Sequence, residues 1–361
     1  MQKKLIALAL ASAFAAPAFA ATSNVDIYGI VNMSLNSVTS NTGADRSLSL
    51  VSNVSRLGFK GSEDLGGGLA AIWQLEANLQ PDNQIGYTTL RDSFVGLKSN
   101  FGTVLAGTHD TPLKMLGRSV DNFGDTMADS RNILGANAFG PGIQGASIFD
   151  IRSKNTIAYV TPDFSGLSAV LAYVTDHQAA VATKCALASG LDCNKNDAWS
   201  GLVQYANGPI YLGGGYEKHN VVSGFAGSNH DIWRLVGSYT LGDFKLGAQY
   251  DHQDDNLSPH VFKRDGYGVF GNYTLGNIVL KANYLKANKI DGTPSSDADQ
   301  WTLGADYNLS KRSTVYAYYA KVNNSANSAY GLGGGAGTSN STYGHFNADP
   351  DTFGIGLKHA F

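Results

Sequence analysis

The residues able to do chemistry in this chain carry charge rather than a catalytic constellation. Eight histidines, among them His109, His219 and His252, are scattered without metal-ligand spacing. There is no H-E-x-x-H, no G-x-S-x-G and no phosphate loop. Gly331-Leu332-Gly333-Gly334-Gly335-Ala336 matches a dinucleotide fingerprint in letters only. It follows no βαβ pattern and sits in a Gly/Ser/Asn-rich stretch, so it reads as a loop. Asp121, Asp125 and Asp129 recur every four residues within Ser119 to Ser130, flanked by Arg118 and Arg131. Arg56 and Lys60 alternate with Leu57 and Phe59, and Arg152 shares the parity of Lys154 and Thr156 against Ile157 and Tyr159. Fixed charges in such rows make a field; they do not make or break bonds. No enzyme, cofactor or metal site is expected.

Period-2 alternation must position these charges. Val25, Ile27, Gly29, Val31, Met33 and Leu35 form one face, with Asp26, Tyr28, Ile30, Asn32 and Ser34, a largely polar set, on the other. Leu69 to Leu79 repeats the pattern, with Gln74, Glu76 and Asn78 opposed, and so does Trp233 to Leu241. Phe353, Ile355, Leu357 and Phe361 share a face near the end. This is the strand pattern and not the helical one. Tyr205, Tyr239, Tyr273 and Tyr307 each stand just before a tight turn and recur every 34 residues. A solenoid or propeller also has such a period. An aromatic held at one constant height instead fits an interfacial girdle.

Short turns, such as Gly242-Asp243 and Gly276-Asn277, alternate with long polar loops, such as Asn36 to Val51, Thr108 to Asp150 and Asn323 to Pro350. That asymmetry predicts an all-β fold, an antiparallel transmembrane β-barrel, and the connections imply sixteen strands. Composition agrees: 43 Gly, 34 Tyr and Phe together, and only 9 Pro.

Lys3 and Lys4, the apolar run Leu5 to Ala16, and Ala18-Phe19-Ala20 read as an export signal over residues 1–20, with the barrel at 21–361. A membrane helix is the competing reading, but the run falls short of the ~20 apolar residues a span needs. Losing Lys3 and Lys4 takes the formal charge from −3 to −5, which argues against a nucleic-acid partner. In an oxidising compartment Cys185 and Cys193, the only cysteines, are expected to form a loop disulfide.

Val25-Asp26-Ile27-Tyr28-Gly29, Ser55-Arg56-Leu57-Gly58-Phe59-Lys60-Gly61, Arg91-Asp92-Ser93-Phe94-Val95-Gly96-Leu97, Asp110-Thr111-Pro112 and Gly356-Leu357-Lys358-His359-Ala360-Phe361 together resemble the trimeric general porins of Gram-negative bacteria, in the form typical of β-proteobacteria. The resemblance covers essentially the whole chain. It implies a sixteen-stranded barrel, a homotrimer in outer-membrane lipid and lipopolysaccharide, and passive diffusion of ions and small hydrophilic solutes. A substrate-specific channel is the alternative.

The resemblance further implies that the third long loop, Thr108 to Asp150, folds inward and narrows the lumen. Loops of this length are usually functional. Arg56, Arg91 and Arg152 match the family's basic wall, with Lys60 beside them. Asp121, Asp125 and Asp129 match the acidic loop tip. For Arg91 the placement rests on the family, since local parity would put Ser93 and Val95 inward with it. Thr108 stands where many relatives carry Arg, so weak ion selectivity is expected. Phe361 matches the mark read by the barrel-assembly machinery.

Overall fold

The computed structural model describes residues 24–39, 46–83, 90–134, 149–175, 197–220, 229–254, 256, 263–333 and 346–361. Residues 1–20 and both cysteines lie outside them. The strands are β1 (Asn24–Thr39), β2 (Ser47–Ser52), β3 (Arg56–Gly66), β4 (Leu69–Asn78), β5 (Ser93–Ser99), β6 (Gly102–Asp110), β7 (Arg152–Val160), β8 (Leu167–Val174) and β9 (Ala198–Asn207). They continue as β10 (Ile210–His219), β11 (His230–Leu241), β12 (Phe244–Asp254), β13 (Lys263–Leu275), β14 (Ile278–Ala287), β15 (Ala298–Asn308), β16 (Ser313–Asn324) and β17 (Asp351–Ala360).

Neighbouring strands pair antiparallel, and β1 pairs with β17 from Ile30↔Ala360 to Thr39↔Asp351, so the sheet closes on itself. β2 and β3 both pair with β1, at Met33 to Val38 and at Asn24 to Ile30. They are one wall strand broken at Val54, whose φ of 57° interrupts the extended run. The wall therefore has the expected sixteen strands although seventeen segments build it. Closure leaves no unpaired edge, the condition for a sheet to stand in lipid.

The polarity of the barrel is inverted relative to a soluble protein. Leu235, Leu246, Val269, Leu280, Leu303 and Ile355 point outward and are about half exposed, touching no protein beyond the wall. Ser238, Gln249, Asn283, Gln300 and Thr302 point inward and are buried. An outward apolar band around a polar interior is what the outer-membrane barrel requires. Tyr205, Tyr239, Tyr273 and Tyr307 all face outward at the short-turn end. The repeated turns there place Gly208, Gly242 and Gly276 at φ 56–59°, the left-handed region that glycine enters without steric cost.

A second aromatic row runs near the other end: Trp199, Trp233, Tyr250, Tyr267, Tyr284 and Trp301. Within it the rings of Trp233 and Tyr250 lie 4.9 Å apart and those of Tyr250 and Tyr267 5.1 Å apart. Trp233, Tyr267 and Trp301 each precede the lower tyrosine of the same strand by six residues, or ~20 Å along the strand. Leu235 lies between the two rows. Leu235→Arg is expected to destabilise the barrel by about 2–4 kcal/mol. Urea unfolding in lipid vesicles reads this, and an unchanged midpoint would contradict the lipid-facing placement.

Candidate functional site

After β6 the chain turns inward. Thr111 caps α1 (Pro112–Arg118): its hydroxyl accepts from the Lys114 N–H, and Pro112 occupies the first turn, where its missing N–H costs nothing. Leu113 and Leu116 are fully buried against the wall. The wall makes room through Gly213 and Gly215 of β10. A Cβ on Gly213 would stand 2.4 Å from Leu116 Cδ1, so a larger residue would force the Leu116 side chain to shift. Nothing in the strand pattern marked this glycine run as a docking patch.

Beyond α1 the segment crosses to strands on the far side. Asn122 Nδ2 donates to Gly271 O and Asn283 Oδ1, each at 3.0 Å. Asn132 Nδ2 donates to Gln300 Oε1 at 2.9 Å, and Gln300 Nε2 donates back to Ala128 O at 2.9 Å. Since Asn283 and Gln300 point inward, residues 111–134 lie within the barrel. Val120, Phe123, Met127, Ala128, Ile133 and Leu134 are buried there against wall residues such as Phe270 and Leu285.

Arg56 on β3 stands 3.9 Å from Glu76 Oε2 and 3.5 Å from Asp125 Oδ2. Among the described residues this last contact is the only ion pair joining the expected basic wall to the expected acidic tip. Arg91 pairs with Glu76, which also accepts from the Tyr28 hydroxyl at 3.0 Å. Arg152 Nε meets Asp92 at 2.7 Å and its Nη2 meets Asp110 at 2.8 Å. Lys60 is exposed, with Nζ 5.4 Å from the Tyr28 ring centroid. Thr108 pairs with Ser93 in the wall.

The three aspartates serve different ends. Asp125 meets Arg118 Nη2 at 2.6 Å as well as Arg56. Asp121 is spent on structure: it accepts from the N–H groups of Phe123 and Ser130 and from Asn283 Nδ2. Burial, and then the neighbouring Asp129 carboxylate, hold its carboxyl above the usual carboxylate range. Asp129 caps the turn Ser130–Asn132 and pairs with Arg131 at 2.9 Å. Burial alone would raise it, but Arg131 and Arg118 overrule burial and hold it low.

One parity expectation is overturned. Val95 is 62 % exposed on the outer face, while Phe94 points inward against Leu105, Ala158 and Ala172. Arg91 lies before β5, so strand alternation does not run from it to Val95. The spacing of Arg152, Lys154 and Thr156 is likewise interrupted, by Asn155 at φ 58° opposite a register shift between Gly107 and His109.

Strand reading alone missed the counter-charges. Glu76 was legible as a polar-face residue of β4, but Asp92, Asp110 and Lys114 carried no local signal. With them, and among the described residues, six bases around the inward segment (Arg56, Arg91, Lys114, Arg118, Arg131, Arg152) pair with five acids (Glu76, Asp92, Asp110, Asp125, Asp129), and Asp121 lies beside them. Beside the tip lies a polar cleft of about 370 Å³, bordered by Arg118, Asp125, Lys281, Asp306 and Lys358.

Lys114 is a base of this set that burial brings toward neutrality. Its ammonium lies 2.9 Å from Asp110, yet burial outweighs that partner and pushes it down to about 8. As pH rises through that value Lys114 loses its positive charge and the site shifts by one unit of charge toward the negative. Cation preference is therefore expected to grow with pH, and Lys114→Met should flatten the profile. Reversal potentials on either side of that pH check it; an unchanged profile in the variant would refute it.

The family described as Gram-negative porin matches residues 7–327. The chain is 34% identical over 215 residues to outer membrane porin protein 32 of Delftia acidovorans, covering 58% of each. It is 34% identical over 180 residues to major outer membrane protein P.IB of Neisseria gonorrhoeae, covering 48% of each. The matched stretch thus spans about half the length of these curated relatives. Among solved structures, an anion-selective porin from Comamonas acidovorans superposes with a TM-score of 0.77 at 29% identity, covering 94% of this chain and 100% of that one. The trimer form of OmpT from Vibrio cholerae superposes with a TM-score of 0.66 at 19% identity, a likeness of fold.

Proposed function

The chain belongs to the Gram-negative porin family, and from that premise we propose that it forms a water-filled channel through the outer membrane for passive passage of ions and small hydrophilic solutes. The observation that carries this reading is the lumen: a polar interior crossed by residues 111–134, with Arg56 and Asp125 facing each other at 3.5 Å. Charges of both signs across a narrow water path orient dipolar solutes and disfavour apolar ones. The function is passage and not catalysis.

Two features of the site favour general diffusion with weak selectivity. Each of the six bases is paired locally with a carboxylate, which leaves little net field for either sign of ion. The relative from Comamonas acidovorans is described as anion-selective; here Glu76, Asp92 and Asp110 offset Arg91, Arg152 and Lys114. A substrate-specific channel would expose a row of lumen aromatics. Tyr316 and Tyr318 stack on the inner wall but are buried, and their hydroxyls donate to Asn32 and Asn36.

In this reading residues 1–20 are the removed export signal and 21–361 the barrel. Three copies assemble in outer-membrane lipid and lipopolysaccharide, and Phe361 marks the last strand for the assembly machinery. Planar-bilayer recording of the purified protein tests the proposal. Stable open channels with small reversal potentials in a salt gradient are expected. Absence of conductance would overturn the channel, and strong selectivity of either sign would overturn the weak-field reading.

A further inference from the structure

Arg234 points inward from β11 and its side chain is 1% exposed. Nε donates to Asp251 Oδ1 and Nη2 to Asp251 Oδ2, each at 2.8 Å. Nη1 donates to Asp150 Oδ1 at 2.6 Å and Nη2 to Asp150 Oδ2 at 2.8 Å. Nη1 also reaches Leu113 O at 3.1 Å. A guanidinium has five N–H groups in a rigid planar fork, and here all five have partners.

Those partners belong to three parts of the chain. Asp251 is on β12, the adjoining wall strand. Leu113 lies in the first turn of the inward segment, and Asp150 lies at the other end of the same long connection between β6 and β7, two residues before β7. One wall side chain therefore holds both ends of the loop that crosses the lumen. The approach is close: a Cβ on Gly117 of α1 would stand 2.3 Å from Arg234 Nη1. Asp150 itself adopts φ 57°, an uncommon state for a residue with a side chain, and its two oxygens are locked on the guanidinium.

We propose that Arg234 is a positioning residue whose fork clamps both ends of the inward loop and thereby keeps the channel at one fixed open width. It acts through the loop and touches no solute. The inference rests on the channel reading above. Lysine keeps the charge at this position but cannot bridge two carboxylates bidentately and reach a carbonyl as well. Asparagine at 150 keeps the shape and removes one charge, leaving β11 and β12 untouched.

The test compares wild type, Arg234→Lys and Asp150→Asn as assembled barrels. Single-channel recording should show open-channel noise several-fold above wild type and closure at lower voltage in both variants. Amide exchange at Met115 and Ser119, read without any current, should quicken on the order of tenfold. Wild-type noise, closing voltage and exchange in both variants would overturn the proposal. If Arg234→Lys does not assemble, Asp150→Asn decides on the same readings. A wild type that does not conduct would sink the channel reading, while exchange at the loop would still judge the clamp.

Discussion

Glu76→Gln is expected to turn the channel toward anions. Glu76 accepts from Arg91 and from the Tyr28 hydroxyl and stands 3.9 Å from Arg56, with its side chain only 8% exposed. One carboxylate thus neutralises two members of the basic wall. Glutamine keeps the shape and one acceptor, so the geometry is preserved while a unit of negative charge is removed. At about 5 Å in a water-like medium one charge is worth on the order of 0.8 kcal/mol, or roughly fourfold in local ion occupancy. The anion-to-cation permeability ratio should rise by about that factor. Removing a positive charge as well, in Glu76→Gln with Arg91→Gln, should return the ratio toward wild type. A reversal potential unmoved by Glu76→Gln would show that this pair does not face the ion path.

The second large effect is expected at the seam where the barrel closes. Phe361 N donates to Gly29 O and Gly29 N donates to Phe361 O, both at 3.1 Å. The Phe361 ring lies across Gly29, where a Cβ would meet Phe361 Cζ at 2.3 Å and Arg56 O at 2.7 Å. Gly29→Val must displace the ring and push on a backbone carbonyl that cannot yield. Overpacking of this kind costs about 1–3 kcal/mol, and a backbone neighbour puts it at the upper end. Phe361→Ala removes the ring from the same contact. Both variants are expected to lower the yield of heat-resistant assembled barrel sharply, with near-normal conductance in the channels that form. A normal yield in both would refute the role of this contact in closure.

Much of this architecture was legible in local pattern. Strand alternation has a period of two residues, so Leu235 against Arg234, or Leu57 against Arg56, declares its face without knowledge of any other strand. The 34-residue recurrence of tyrosines located the turns, because a girdle needs its aromatics at one height. Where local continuity broke, the reading failed. Val95 was assigned inward with Arg91, but Arg91 stands outside β5 and the alternation starts afresh at Ser93.

What the chain by itself determined is therefore the closed wall, its inside and outside, and which segments carry charge. What only the tertiary structure decided is how those charges are spent. Arg152 meets Asp92 across 60 positions, Arg234 meets Asp150 across 84, and Asn132 meets Gln300 across 168. A face is set by the residue's own backbone, whereas an ion pair is set by where two distant backbones are brought together. Asp121 and Asp129 look like Asp125 in the sequence, but the path of the loop buries the first two in its own turns. Only Asp125 reaches across to Arg56.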